Sequence, residues 1–262
     1  VGYCVGVAPQ LASYRLRVEI PSKYLGCEYV IGNFGDVTFF YKHAESDVEL
    51  AESCGPVVYD VVNDHFKGRN GEHYKAMISL AAKVTCSSEW MRERILQETS
   101  RDAIVIDDPY ENDEQEAGFG GDEVLWFGHR ANLPSLVPYA TLDKLLVVSN
   151  IPDVIQWSRD SERRALERCD VVLLTASNPG ASTNRVVKAL RAGRFVVTPG
   201  GVPAWDELAP YIWIGDVQEG IRWAQANREE ACNKIRRGQQ FVKEKNSPEQ
   251  IAAQWMGVFG SI

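Results

Sequence analysis

The feature that most limits what this chain can fold into is a repeated change of hydrophobic period. Short β-rich runs alternate with longer helical stretches, the alternation breaks once, and then it resumes. In the first part, strands are expected over residues 2–7, 28–31, 37–41, 57–61, 84–86 and 104–106. Helices are expected over 14–24, 47–53, 72–82 and 89–98, the last capped by Ser87 or Ser88. Strands separated by helices run parallel, because each helix returns the chain to the end of the sheet where it began. The break covers residues 106–123, where eight acidic residues, no basic one, one Pro and three Gly leave little to bury. That stretch reads as a linker. Strands then recur over 124–128, 145–149, 171–175, 194–198 and 212–214, with helices over 133–141, 161–168, 183–192, 203–208 and 217–243. Near the end, Ser247-Pro248-Glu249-Gln250 has the cap, the N1 proline and the N3 glutamine of a helix start. Ile251, Trp255 and Phe259 come next at four-residue spacing as one apolar stripe, the mark of a docking helix. The fold class predicted is α/β, with two Rossmann-like domains at 1–107 and 123–245, an acidic linker at 108–122 and a helix at 246–262.

Charge and composition remove several classes. With 28 Lys+Arg against 36 Asp+Glu, the formal net charge is -8, which argues against general nucleic-acid binding and leaves room only for a local basic pocket. Apolar runs such as 124–127 and 171–176 fall well short of the ~20 residues of a membrane span. No secretory signal is visible at the first residues, and a cytoplasmic protein is expected. Cys4, Cys27, Cys54, Cys86, Cys169 and Cys232 are far apart and form no CxxC pair, which suits reduced, buried thiols. None of His43, His65, His73 and His129 forms a ligand-spaced pair with a cysteine, so no zinc site is expected.

In an open parallel sheet, ligands bind beyond the carboxyl ends of the strands. The most informative such junction runs from the 171–175 strand through Ser177, Asn178, Gly180, Ser182, Thr183 and Asn184 into a helix. Ser182 or Thr183 is its natural N-cap, and the free amides there favour a phosphate, with Arg185 and Lys188 adding charge. A plain capped crossover helix would show the same pattern. At a second junction, Gly128 permits close backbone approach, His129 and Arg130 supply donors, and Asn132 caps the next helix. A solvated turn is the alternative. Gly200 and Gly201 mark a third strand end, where a tight turn explains them equally well. In the first domain, Ser13, Arg15 and Arg17 come after the first strand. Asp60, Asn63, Asp64 and His65 sit at and beyond the end of the 57–61 strand, where a carboxylate beside a histidine suits acid–base work or a surface pair. Most large aromatics fill cores; Trp157 and Trp205, near strand-end loops of the second domain, are the exceptions that could stack on a ligand ring.

The chain has no GxGxxG after its first strand, no GxxxxGK[ST] and no GxSxG, which sets aside ordinary dehydrogenases, P-loop NTPases and α/β-hydrolases. Instead, "DVVLLTASNPGASTNRVVKALRAGRFVVTPGG" (170–201) resembles the donor-site strand, loop and helix of GT-B glycosyltransferases, in particular the retaining family 4, or glycosyl transferases group 1. "LWFGHR" is similar to that family's first strand of the C-terminal domain, "VTCSSEWMRERI" to the strand and helix before its linker, and "ASYRLRVEIP" to the loop after its first strand. "VIDDPYEN" occupies the place of its "IPNG" linker.

The resemblance implies two parallel sheets facing a cleft and a last helix that crosses back onto the N-terminal domain. It also implies a metal-independent, retaining sugar transfer, from a UDP- or GDP-sugar donor to a glycan, lipid or small-molecule acceptor. Peripheral membrane contact is compatible with a lipid acceptor. The donor would be held by Gly128, His129, Arg130, Asn132, Ser177, Asn178, Gly180, Ser182, Thr183, Asn184, Arg185 and Lys188. Ser13, Arg15 and Arg17 would bind the acceptor, and Asp64, His65 and Lys188 would carry the catalytic work. One departure stands out. The family's two donor-site glutamates align with Gly180 and Lys188, so neither carboxylate is present. A protein that binds a nucleotide or glycan without turnover is therefore the rival expectation, with a nucleotide-sugar epimerase third.

Overall fold

The structure, a computed structural model, describes residues 4–5, 12–26, 37–41 and 47–262. The chain divides into two compact units, Val1–Glu111 with Asn246–Ile262, and Asn112–Lys245.

In the first unit the described strands are β1 (Cys4–Val5), β2 (Thr38–Tyr41), β3 (Val57–Val61), β4 (Lys83–Cys86) and β5 (Ile104–Val105), all parallel and adjacent in that order. The expected strand at 28–31 lies outside the described residues. One face of the sheet, with Phe40, Tyr59 and Val61, packs on α4 (Gly71–Leu80) and α5 (Glu89–Thr99), beside α3 (Asp47–Ser53). Ser88 caps α5 by accepting from the Met91 amide. The opposite face, with Phe39, Tyr41 and Val58, meets the stretch from α1 (Ala12–Tyr14) to α2 (Ile20–Leu25) and the last helix, α10 (Pro248–Phe259). Between α1 and α2 the backbone is π-helical over Arg15–Glu19. Ser247 caps α10, whose Ile251 and Trp255 are buried, with the Trp255 ring edge-on to Phe39 at 5.1 Å. The stripe read from the sequence thus lies in the first unit's core.

The second unit holds β6 (Glu123–Phe127), β7 (Leu145–Ser149), β8 (Ile155–Gln156), β9 (Cys169–Leu173), β10 (Phe195–Thr198) and β11 (Trp213–Ile214). They form a parallel sheet in the order β11-β10-β9-β6-β7-β8, the doubly wound arrangement. Its helices are α6 (Arg159–Arg168), α7 (Asn184–Arg191), α8 (Val217–Ala226) and α9 (Arg228–Lys245). Val124, Trp126, Val171, Leu173, Phe195 and Val197 meet α8 and α9 in one core.

Four local expectations are corrected. The helix expected at 133–141 is two 3-10 turns, Arg130–Ser135 and Val137–Tyr139, because Pro134 and Pro138 lack the amides that an α-helix needs. The single helix expected at 217–243 breaks at Asn227, whose backbone (φ −120°, ψ 48°) is not helical. The strand expected at 171–175 is β9, which begins at Cys169, the C-cap of α6, and ends at Leu173. The acidic stretch is packed where a solvated linker was expected: Ile106, Asp108 and Ala117 are buried, and the Gln115 and Gly118 amides donate to Arg191 and Gly193 carbonyls. Gly193 is left-handed (φ 73°), and a Cβ there would meet the Glu116 carbonyl at 2.1 Å, so only glycine fits under that segment.

Candidate functional site

In the second sheet the chain leaves β6 toward β7 and β8, then returns to lay β9 on the other side of β6. The crevice at such a reversal, beyond the carboxyl ends of the two central strands, is where doubly wound sheets bind ligands. Residues after β6 and after β9 therefore converge here. Ser177 donates its amide to Asn132 Oδ1 (3.4 Å), and the Thr175 hydroxyl meets both Trp126 Nε1 (2.9 Å) and Ser135 Oγ (2.8 Å). Asn178 Oδ1 accepts the Gly180 amide at 2.8 Å and closes the tight turn in the second loop.

Arg185 occupies the reversal. One guanidinium nitrogen, Nη2, donates to the Thr175 carbonyl (2.8 Å), and Nη1 to the Phe127 carbonyl (3.3 Å), one oxygen from each side of the crevice. Its Cζ lies over the Trp205 ring, 5.8 Å from the centroid, and Trp205 is held by its own Nε1 bond to the Ser182 carbonyl at 3.0 Å. Among the described residues no carboxylate pairs with this guanidinium. Burial pushes it down to about 10, which leaves it charged at neutral pH. A Cβ at Gly128 would stand 3.0 Å from Arg185 Nη1 and 3.1 Å from the Trp126 ring, so the bare backbone at 128 makes room for the cation.

The helix that carries Arg185 opens without a cap. Thr183 occupies the N-cap position in helical geometry and its side chain makes no capping bond, contrary to the expectation for Ser182 or Thr183. The first-turn donors around Asn184 thus have no side-chain acceptor. His129 and Arg130 are exposed on the rim: His129 Nδ1 accepts the Ala131 amide, and the Arg130 amide donates to Asn150 Oδ1. At the neighbouring strand end, Gly200 and Gly201 both adopt left-handed backbone (φ 86° and 84°).

Several expected roles change. Lys188 Nζ is 2.7 Å from Glu162 Oε1, while Glu162 Oε2 accepts from Trp157 Nε1 at 2.8 Å. Its ammonium is committed to a pair only 15% and 8% exposed, which removes it as a cation for the ligand. Trp205 is buried beneath Arg185 and offers no ring to a sugar. In the first unit, Arg17 makes two bonds to Asp60 (2.9 and 2.6 Å) and a third to the Ile106 carbonyl, with both side chains at 0% exposure. Arg15 is paired twice with Glu111, at 2.7 and 3.0 Å. These arginines brace the helix against residues 106–111 and are structural, where acceptor binding was expected. Ser13 Oγ is buried and, among the described residues, has no hydrogen-bond partner. Asp64 is held by Arg94 (3.2 Å) and by the Phe66 amide, and His65 is exposed beside Tyr74.

Two features escaped sequence reading. The Thr175–Trp126–Ser135 junction couples residues 40 and 49 positions apart, which no local pattern encodes. That no acid among the described residues reaches Arg185 is a property of the fold alone.

No protein-family model matches the chain, and no curated protein matches its sequence. Solved structures do match. Anabaena HepE in complex with UDP and glucose superposes with a TM-score of 0.67 at 13% identity, over 97% of this chain and 84% of that one. The fold is GT-B. HepE with UDP-glucose matches at 0.65, over 87% and 79% of the two chains. TarM of S. aureus, in complex with Fondaparinux, alpha-GlcNAc-glycerol and UDP, matches at 0.67 and 12% identity, over 86% of this chain and 56% of that one. The N-terminal domain of Candida albicans trehalose-6-phosphate phosphatase shares the architecture more distantly, at 0.57 and 7% identity. Likeness at this level establishes architecture, and activity must be argued from the site.

Proposed function

We propose that this protein transfers a sugar from a nucleotide-activated donor, a UDP- or GDP-sugar, to a glycan, lipid or small-molecule acceptor. The observation that carries the reading is Arg185, a charged guanidinium with no acid partner among the described residues, anchored at the reversal of a doubly wound sheet. UDP-glucose and UDP are what the matching HepE structures contain, and they fit an anion site of this kind. Residues 123–245 take the donor, and residues 1–107 take the acceptor. Residues 108–122 connect them, and the 246–262 helix completes the acceptor side.

The acceptor hydroxyl oxygen forms a bond to the anomeric carbon as the bond from that carbon to the phosphate oxygen breaks, and the nucleoside diphosphate leaves with the electron pair. Charge grows on the diphosphate, where fixed donors are worth most. Arg185 supplies a full positive charge there, and the uncapped amides of Ser182, Thr183 and Asn184 add the positive end of α7. Arg130 and His129 on the rim contact the outer phosphate oxygens. Gly128, Asn132, Ser177, Asn178 and Gly180 hold the two loops in a shape that admits it. The acceptor proton passes to His65, which is exposed, whereas Asp64 orients the loop through Arg94. These donors stabilise the leaving group without a metal. Retention of configuration follows from the family resemblance.

Calorimetry with UDP and GDP, followed by a nucleoside-diphosphate release assay over a donor panel with crude glycan acceptors, tests the reading. Sustained release supports transfer. A second reading, binding without turnover, is favoured by two observations: position 180 has no side chain, and the Lys188 ammonium is already paired with Glu162. It predicts UDP binding with no release above the uncatalysed rate.

A further inference from the structure

Arg185 is held differently from other arginines that lie over aromatic rings in this protein. Arg17 lies over Trp255, Arg94 over Phe66 and Arg228 over Phe119, and each is also paired with an acid: Asp60, Asp64 and Asp170 in turn. A carboxylate fixes a guanidinium but cancels its charge. Arg185 is fixed by the Thr175 and Phe127 carbonyls and by the Trp205 ring, all of them neutral, with no acid partner among the described residues. The negative face of an indole attracts a desolvated cation and leaves its net charge in place.

Trp205 is itself well fixed. It sits in the 3-10 turn Pro203–Leu208 after β10, is 1% exposed, and donates its single polar hydrogen, on Nε1, to the Ser182 carbonyl at 3.0 Å. That bond sets the tilt of the ring beneath the cation. The guanidinium spends one hydrogen of Nη2 and one of Nη1 on the two carbonyls, so further N–H donors stay with it for an anion. We propose that Trp205 is a positioning residue, whose ring and Nε1 bond hold Arg185 at the sheet reversal while leaving its positive charge to a diphosphate. This deepens the sugar-transfer reading and rests on it for the ligand being a nucleoside diphosphate.

The test is calorimetry on the full chain with inorganic pyrophosphate, UDP and uridine. Trp205→Phe keeps a ring and loses the bond that tilts it; Trp205→Leu loses both. Pyrophosphate and UDP affinity should fall about threefold in the first and about tenfold in the second, with uridine affinity unchanged. Placed in an Arg185→Gln background, either substitution should change pyrophosphate affinity less than twofold, because Trp205 acts through the guanidinium. The Arg185 Nε–H resonance, assigned by its loss in Arg185→Gln, should move in Trp205→Leu before any ligand is added, through loss of the ring beneath it. An unmoved Trp126 indole N–H, which donates to Thr175 Oγ1, shows the neighbouring junction intact in each variant. Wild-type pyrophosphate affinity in both Trp205 variants, or equal losses with and without Arg185, overturns the positioning role. Pyrophosphate bound through Arg185 and Trp205 with no binding of UDP overturns the donor reading alone. UDP binding that depends on Arg185 and not on Trp205 does the reverse.

Discussion

Replacing Asp60 by asparagine tests whether Arg17 braces the first unit or serves a ligand. The two side chains are fully buried and joined by bonds of 2.9 and 2.6 Å, with Thr85 Oγ1 adding a third at 2.7 Å to the same carboxylate. Asparagine keeps the shape, removes the negative charge and turns an amide donor toward a guanidinium that can only donate. Only the longer Asp108 contact, at 3.5 Å, then faces the buried guanidinium, and breaking a buried pair costs about 3–5 kcal/mol. The lower figure alone corresponds to roughly a hundredfold rise in the open population. Hydrogen exchange followed by mass spectrometry, reading peptides over β3 and β4, measures that rise within the first unit. Peptides over β6 and β9 in the second unit should keep wild-type protection. Arg17→Met added to Asp60→Asn removes the stranded cation and should recover part of the loss. A rise under threefold in β3 and β4, or a double variant whose loss is the plain sum of the two singles, refutes the assignment of Arg17 as structural.

The same contacts lead to other outcomes. Gly128→Ala places a methyl 3.0 Å from Arg185 Nη1 and should weaken UDP about tenfold in calorimetry, with about 1–3 kcal/mol of lost stability from overpacking. Lys188→Met strands the Glu162 carboxylate, so thermal unfolding should fall by several degrees while UDP affinity changes less than twofold. Burial pushes the Cys86 and Cys169 thiols up to about 12, disfavouring the thiolate. Iodoacetamide at pH 8 should therefore label half-buried Cys54 and Cys232 and spare those two in the native protein, as peptide mapping would show. Labelling of Cys86 at the rate of Cys54 would contradict that burial.

The sequence made the architecture visible where a run of residues decides its own fate. Val57–Val61 is buried along its whole length and is legible as a strand, and Ser88 announces α5 as surely as Ser247-Pro248 announces α10. It misleads where one residue type outweighs periodicity: Pro134 and Pro138 turn an apparent helix into 3-10 turns, and Asn227 divides another. β8 spans only Ile155–Gln156, too short to register as a run. At the candidate site, sequence locates both strand ends and Arg185 but not which charges are paired. Charge count alone makes Arg15, Arg17, Lys188 and Arg185 equivalent cations. Only the fold brings Asp60 to Arg17 across 43 positions and Glu162 to Lys188 across 26, while leaving Arg185 with carbonyls and a ring. The missing information is which charges are already neutralised.

That distinction makes one titration decisive. UDP binding to wild type and to Arg185→Gln, measured by calorimetry beside uridine as the phosphate-free control, isolates the guanidinium's contribution. One lost bond to a charged group, about 1.5–3 kcal/mol, predicts UDP affinity reduced roughly 10- to 150-fold with uridine affinity unchanged. Equal UDP affinity in the two proteins would contradict an anion site at the reversal of the second sheet.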